Sequence, residues 1–537
     1  VIKWQYKFNV KKVLILKNTD SKGAFLQGAF ILTISTAFVK LAGLLFTLPI
    51  ANMLGGEGMG YFYTAYDIYN MLAVLASAGL PVAVSRMVSE TLVSGNTDEA
   101  ERIYKVSVRV FTIIGAVIAA VMFFGADLLA DLLKNPNAGM SIRVLSVTAF
   151  CAFVMSALRG YFQGHSIMTF TAVSQVIEAF AKLILGFILA YVLMATELSY
   201  IGGSAGAIMG VSVGAVLAVV YLLFYKKKHT VSVEKSGMPV RSDKAILKEL
   251  FRIAIPVSLG ASVMSLVNLI DTAVIMRVLQ DGLGYSYENA NWLYGVFGNA
   301  KKIFNFPSAF IVPFSVSILP VLTAAMTARD QDGVAKNMTT CFKYALMLAL
   351  PAGIGITVLA EPIMNIIYFN TPEEANAGAP LLAVFGIAVI LYAVVSISGA
   401  ILQAFGKVNR PLISLCVGGA IKCVLNAVLV GFEDINILGA PIATCACYVV
   451  MIAMNLIFLR EYLAGCGAIV VNTVKTLASA LVMGGVTYLV YQPLSAAAGV
   501  KMGGLVSIVI AVIVYAVLVL VTKIVTVKEL KSMLRRG

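Results

Sequence analysis

Long apolar runs, one after another, constrain this chain more than any other feature. They lie near 24–50, 61–93, 105–133, 141–163, 171–194 and 203–225, then 249–279, 290–323, 339–366, 376–404, 411–431 and 438–459, and finally 472–492 and 502–524. About 20 apolar residues in an α-helix cross a bilayer core roughly 30 Å thick, so each run can span. Backbone groups in hydrocarbon must satisfy one another, which leaves helices or a closed barrel, and the runs lack the period-2 alternation of a barrel strand. The expectation is an all-α, polytopic membrane protein of about 14 transmembrane helices grouped as six, six and two. Of 537 residues, 60% are hydrophobic and only 12% charged. A soluble domain carries about 25% charged residues, so soluble enzymes, disordered chains and secreted disulfide scaffolds are excluded.

The net charge of +14 is concentrated in short loops. Basic loops stay cytoplasmic. One set comprises the N-terminal segment, the 226–248 linker, the turn with Lys407 and Arg410, Arg460, and the tail with Lys528, Lys531, Arg535 and Arg536. The alternate loops carry Glu57, Glu197, Asp281, Glu288, Glu373, Glu374, Glu433 and Asp434. Both termini are therefore expected in the cytoplasm, as an even number of spans requires. Residues 1–22 are polar and basic and precede a run too long for a signal-peptide core, so no cleavable signal is expected. The divisions are 1–23, a basic N-terminal segment; 24–225, an N-lobe; 226–248, a linker; 249–459, a C-lobe; and 460–537, the last two helices with a basic tail. Seven cysteines without a CxxC pair and two histidines, His165 and His229, offer no metal or redox centre, and no cofactor is expected.

The two halves share features at a constant offset. Leu80-Pro81 recurs as Leu319-Pro320, Gln163 as Gln403 and Lys182 as Lys422, at separations of 239 or 240. Copies with six helices each enter the membrane with the same polarity, which gives a parallel repeat about an axis along the membrane normal. Two lobes around a central cavity are the architecture of a transporter.

Charges inside the spans carry the functional reading, because a charge at mid-membrane costs about 2.5–3.5 kcal/mol and must face protein or water. Lys40, Lys301 and Lys302 fall near mid-depth. Adjacent residues point about 100° apart, so of the last two only one can face the lumen squarely, and Lys302 is chosen. Glu178 and Lys182 are four apart and can pair on one helix face, or can face substrate. Lys422 has Gly418 where such an acid would stand. Asp271 with Asn268 can hold Na⁺ or a proton, or Asp271 can pair with Arg277 or a lobe lysine. Asp67 and Arg86 lie nearer their helix ends. The excess of lysines implies an anionic passenger, with Lys40, Lys302, Lys301, Arg86, Asp67, Lys182, Lys422 and Glu178 as candidate binding residues and Na⁺, H⁺ or the membrane potential as the drive.

Other motifs are discounted. Asp330-Gln331-Asp332 is an isolated DxD, GGEGMG over 55–60 reads as a flexible outer turn, and no phosphate loop marks an ATPase. Lys226, Lys227 and Lys228 are expected to face solvent and anionic lipid rather than nucleic acid. A lumen for cationic drugs would be acidic, and a membrane glycosyltransferase would need a larger polar loop than the linker.

LRGYFQGHSIMTFTAVSQ over 158–175, AGLPVAVSRMVSE over 78–90, and NFPS over 305–308 followed by Leu319-Pro320 resemble the stage V sporulation protein B and MurJ-type branch of the multidrug/oligosaccharidyl-lipid/polysaccharide exporter superfamily. The resemblance runs over most of the chain from about Gly23. It implies two six-helix lobes of the type found in multidrug exporters, two further helices forming a groove for a polyprenyl tail, and a cationic cavity for a pyrophosphate and its sugars. It also implies a monomeric, non-enzymatic flippase of the bacterial cytoplasmic membrane. The expected cargo is an undecaprenyl-pyrophosphate-linked wall precursor, lipid II first. The rivals are another lipid-linked saccharide unit and a drug/cation antiporter. Lys40 in VKLAG and Lys302 before NFPS stand where these flippases carry arginines. Phe46 and Thr47 stand in place of an Arg-Asp pair, Ala73 of an arginine and Asn305 of a glutamate.

Overall fold

A single glycine turns the first helix into the second. Helix α1 (21–54) passes into α2 (56–78, resumed at Leu80–Val93) through Gly55, whose φ of 58° is open to glycine and strained for a residue with a β-carbon. The computed structural model describes residues 21–230, 236–317, 319–328, 330–462 and 467–525. The basic residues Lys3, Lys7, Lys11, Lys12, Lys17 and Lys235, Arg329, Cys466, and the tail residues Lys528, Lys531, Arg535 and Arg536 lie outside them.

The remaining helices follow the apolar runs. They are α3 (Thr97–Phe124, then Ala126–Leu132), α4 (Gly139–Gly164), α5 (Met168–Met194), α6 (Ser199–Thr230), α7 (Asp243–Arg277) and α8 (Tyr287–Ser317, then Leu319–Thr327). After them come α9 (Gln331–Val358, then Ala360–Ile367), α10 (Pro372–Ala404), α11 (Asn409–Leu429), α12 (Gly439–Leu459), α13 (467–498) and α14 (500–521), the last two divided at Gly499. Eleven described segments are long and apolar enough to cross a membrane. Two of those contain the turns at Gly55 and Gly499, and the 31-residue Tyr287–Ser317 adds another crossing, giving fourteen among the described residues. The chain is a multi-pass, all-α membrane protein. We call the face carrying residues 236–242 the linker face and the face with the Gly55 and Gly499 turns the far face.

The repeat is visible in how helices begin and break. Asn96 caps a 28-residue helix by accepting from the Glu99 amide, and Asp330 caps another of 28 by accepting from the Gly333 amide. Both then break, at Gly125 and Leu359, and restart as helices of 7 and 8 residues. The DxD at 330–332 is thus a helix start. In the first lobe α2 restarts at its Leu-Pro pair, at Leu80.

One cluster of buried side chains draws on both lobes, joining Ile50, Leu54 and Phe62 to Ile275, Tyr294 and Phe297. Nearer the linker face the core divides. Leu80, Val84 and Leu158 pack with Ile246, Leu250 and Ala254 of α7, whereas Met338, Leu346 and Ile401 pack with Ala480 of α13. The lobes are therefore welded in the far half, and α7 also packs against the N-lobe near the linker face. The segment 55–60, expected as a flexible turn, forms that weld: a β-carbon on Gly295 of α8 would collide with the Gly56 carbonyl, and one on Gly60 with Asn291. Helices this close need small residues at the crossing, which is the role of the glycines.

Lys226 departs from its expected exposed position. It is buried, donates to Glu101 at 2.7 Å, and lies over the rings of Tyr104 and Tyr161 at 4.6 and 4.4 Å. Lys227 and Lys228 are exposed.

Candidate functional site

Four aromatic and basic side chains from three N-lobe helices meet at mid-depth. Phe46 of α1 and Phe62 and Tyr66 of α2 surround Lys182 of α5, whose Nζ stands 4.9, 5.9 and 4.9 Å from their ring centroids. Phe62 and Tyr66 are one helical turn apart and stack at 5.3 Å, so a single face of α2 supplies both rings. A ring face attracts a cation electrostatically and holds it without neutralising it. Lys302 of α8 reaches the same Tyr66 ring at 6.0 Å. Two ammonium groups 4.9 and 6.0 Å from one centroid are at most about 11 Å apart. Lys40 of α1 lies within coulombic reach of Lys302, as does Lys182. Lys40 itself is exposed, next in sequence to the exposed Leu41.

No ion pair neutralises Lys40, Lys182 or Lys302 among the described residues. Of the two readings for Glu178 and Lys182, the pair does not form: Glu178 accepts from Arg159 of α4, which also bonds Ser174 at 3.0 Å. Being four apart makes a pair possible, but the guanidinium from the neighbouring helix offers the better geometry. Glu178 is therefore occupied, and Lys182 is turned to the rings.

The C-lobe lysine behaves oppositely. Lys422, 3% exposed, pairs with Asp271 of α7, 2% exposed, and Asn426 donates to the other carboxylate oxygen at 2.9 Å. Here the missing acid at Gly418 misled: the partner comes from another helix. Of the alternatives left open for Asp271, an ion or a pair with Arg277 or a lobe lysine, the lobe lysine is the partner found, and Asn268 does not bond that carboxylate. Instead Asn268, Lys301, Phe304, Lys422 and Thr444 line a cavity of about 140 Å³. Lys301 therefore points into the C-lobe and Lys302 toward the N-lobe lysines, as adjacent residues on one helix must diverge.

Two other candidates fall elsewhere. Arg86 is exposed and pairs with Glu90 one turn along the same helix at 2.8 Å, away from the lysines. Asp67 lies on the seam between lobes, accepting from Tyr294 at 2.7 Å and Thr272 at 3.0 Å. Above it the seam continues as a ladder of neutral groups. Tyr63 donates to Asn299, which donates to Tyr368, and the fully buried Asn135 donates to Thr64 and Asn291.

These observations fit the comparisons with known proteins. The family model described as polysaccharide biosynthesis protein matches residues 25–326. The chain belongs to that family. Lipid II flippase MurJ of Bacillus subtilis (strain 168) is 26% identical over 481 residues, covering 86% of this chain and 87% of its own length. Stage V sporulation protein B of the same organism is 23% identical, with 79% and 81% covered. A solved structure of lipid II flippase MurJ in an inward closed conformation superposes with a TM-score of 0.68 at 14% identity, over 91% of this chain and 98% of that one. The protein falls in the MurJ and stage V sporulation protein B branch of the exporter superfamily named above. In this family member, Phe46, which replaces one half of an Arg-Asp pair, is a ring against Lys182. That departure was legible in the sequence, but its consequence was not. Arg159 was also missed, although it stands inside the LRGYFQG string.

Proposed function

We propose that the protein is a flippase that moves an undecaprenyl-pyrophosphate-linked wall precursor, lipid II first, across the bacterial cytoplasmic membrane. The observation that carries this reading is the convergence of Lys40, Lys182 and Lys302, none paired with an acid among the described residues. Three cations without an acid partner among the described residues call for an anion with several oxygens, and a diphosphate supplies it. Tyr66, Phe62 and Phe46 add flat apolar surface for a sugar ring. No covalent step is needed; the protein acts as a transporter.

In this reading the linker face is cytoplasmic, as are both termini, and the sealed far face is external. The head group enters from the cytoplasm while its polyprenyl tail stays in lipid, and one chain suffices. With Asp271 occupied by Lys422, the drive is assigned to the membrane potential. An interior-negative potential favours outward movement of an anion by about 2.3 kcal/mol per charge per 100 mV. The test is flipping by reconstituted protein carrying Lys40→Ala or Lys302→Ala. Each is expected to abolish flipping with expression intact, and full activity in both would overturn the assignment.

A further inference from the structure

Three carboxylates at membrane depth among the described residues differ in what holds them. Glu178 has Arg159 and Asp271 has Lys422, whereas Asp67 has only the hydroxyls of Tyr294 and Thr272. Both hydroxyls belong to the opposite lobe, meet the same carboxylate oxygen and lie 2.7 Å from each other. Asp67 is also the innermost rung of the far-face ladder, whose outer rungs are the amides and hydroxyls of Tyr63, Asn299, Asn135 and Asn291. Just beyond it on α8 are Lys301 and Lys302, and both feel its charge. The remaining charged groups around it are Asp271, which acts on the same Tyr294 and Lys301, and Lys422.

We propose that Asp67 is the positioning residue that makes the far-face seam respond to the charge state of the lysine chamber. The inference rests on the reading that this chamber takes a diphosphate. In the empty chamber the bare Lys302 of α8 attracts the Asp67 carboxylate across the lobe boundary and holds α2 against α8. A diphosphate on Lys302 and its neighbours cancels that attraction and adds a like charge close to the carboxylate, so the ladder loosens from its inner end. Loading then favours opening of the far face, and release restores the attraction and reseals it. This order suits export: a filled carrier opens outward and an emptied one returns.

Asp67→Asn separates charge from hydrogen bonding, because the amide oxygen still accepts from Tyr294 and Thr272. Spin labels at the exposed positions Glu197 and Glu433, one in each lobe at the far face, report the seam by pulsed electron resonance. They are placed in a flipping-competent background lacking the native cysteines, and farnesyl diphosphate is the probe. The parent is expected to bind it and lengthen the label distance. Asp67→Asn is expected to bind it at least as tightly as the parent, because the like charge is gone, to show the same label distance with and without it, no shorter than that of the empty parent, and to flip at least tenfold more slowly; Asp67→Glu regains the response. Lengthening in Asp67→Asn equal to the parent's, or binding by the parent without lengthening, overturns the proposal and leaves the chamber assignment standing. Failure of the parent to bind the diphosphate overturns both.

Discussion

Removing Lys422 alone should damage the protein far more than removing Lys422 and Asp271 together. The pair is 3% and 2% exposed, and beyond the ammonium the Asp271 carboxylate has one amide donor, Asn426 at 2.9 Å. Lys422→Met leaves a buried carboxylate with a single hydrogen-bond donor. Breaking a buried pair this way costs about 3–5 kcal/mol, because the desolvation penalty remains and the compensating charge is gone. At 1.4 kcal/mol per tenfold, the folded-to-unfolded ratio falls by roughly 100-fold to several thousand-fold. Asp271→Asn combined with Lys422→Met removes both charges and keeps an amide against Asn426, so stability should return to within about 1 kcal/mol of the parent. Thermal unfolding of the purified parent, both single variants and the double variant in one detergent closes the cycle, and reconstituted flipping by the double variant is expected to persist. A Lys422→Met variant as stable as the parent, or a double variant as unstable as the two losses added, would refute the view that this pair is structural.

Other expectations follow from the same geometry. Lys182→Met should weaken binding of farnesyl diphosphate roughly 10- to 100-fold in a titration, the loss of one charge-assisted contact worth about 1.5–3 kcal/mol, with little change in unfolding temperature. Gly295→Val places a side chain against the Gly56 carbonyl, so it should hold the far face apart and raise alkylation of an added Thr64→Cys thiol, buried in the parent, by at least tenfold. Arg86→Ala removes an exposed pair with Glu90, and flipping and unfolding temperature should both match the parent.

Much of the architecture was legible in the sequence because burial in lipid leaves so few options. Apolar length set the crossings, and the constant offset between Leu80-Pro81 and Leu319-Pro320 revealed the repeat. The short lists of buried charges followed from cost alone: a lysine inside a span is conspicuous wherever it points. Helix periodicity also required Lys301 and Lys302 to diverge, and they do.

What the lysines meet was decided only when the helices packed. Lys182 and Lys422 are equivalent in the repeat, yet one lies among Phe46, Phe62 and Tyr66 while the other is locked to Asp271. Spacing along a helix ranks partners within that helix, so it left two readings open for Glu178 and offered Lys422 no acid at Gly418. Electrostatic partners are chosen through space, by whichever group the neighbouring helix brings closest. The chain alone therefore determined that cations are buried in a two-lobed bundle, and the tertiary structure determined which of them remain unneutralised.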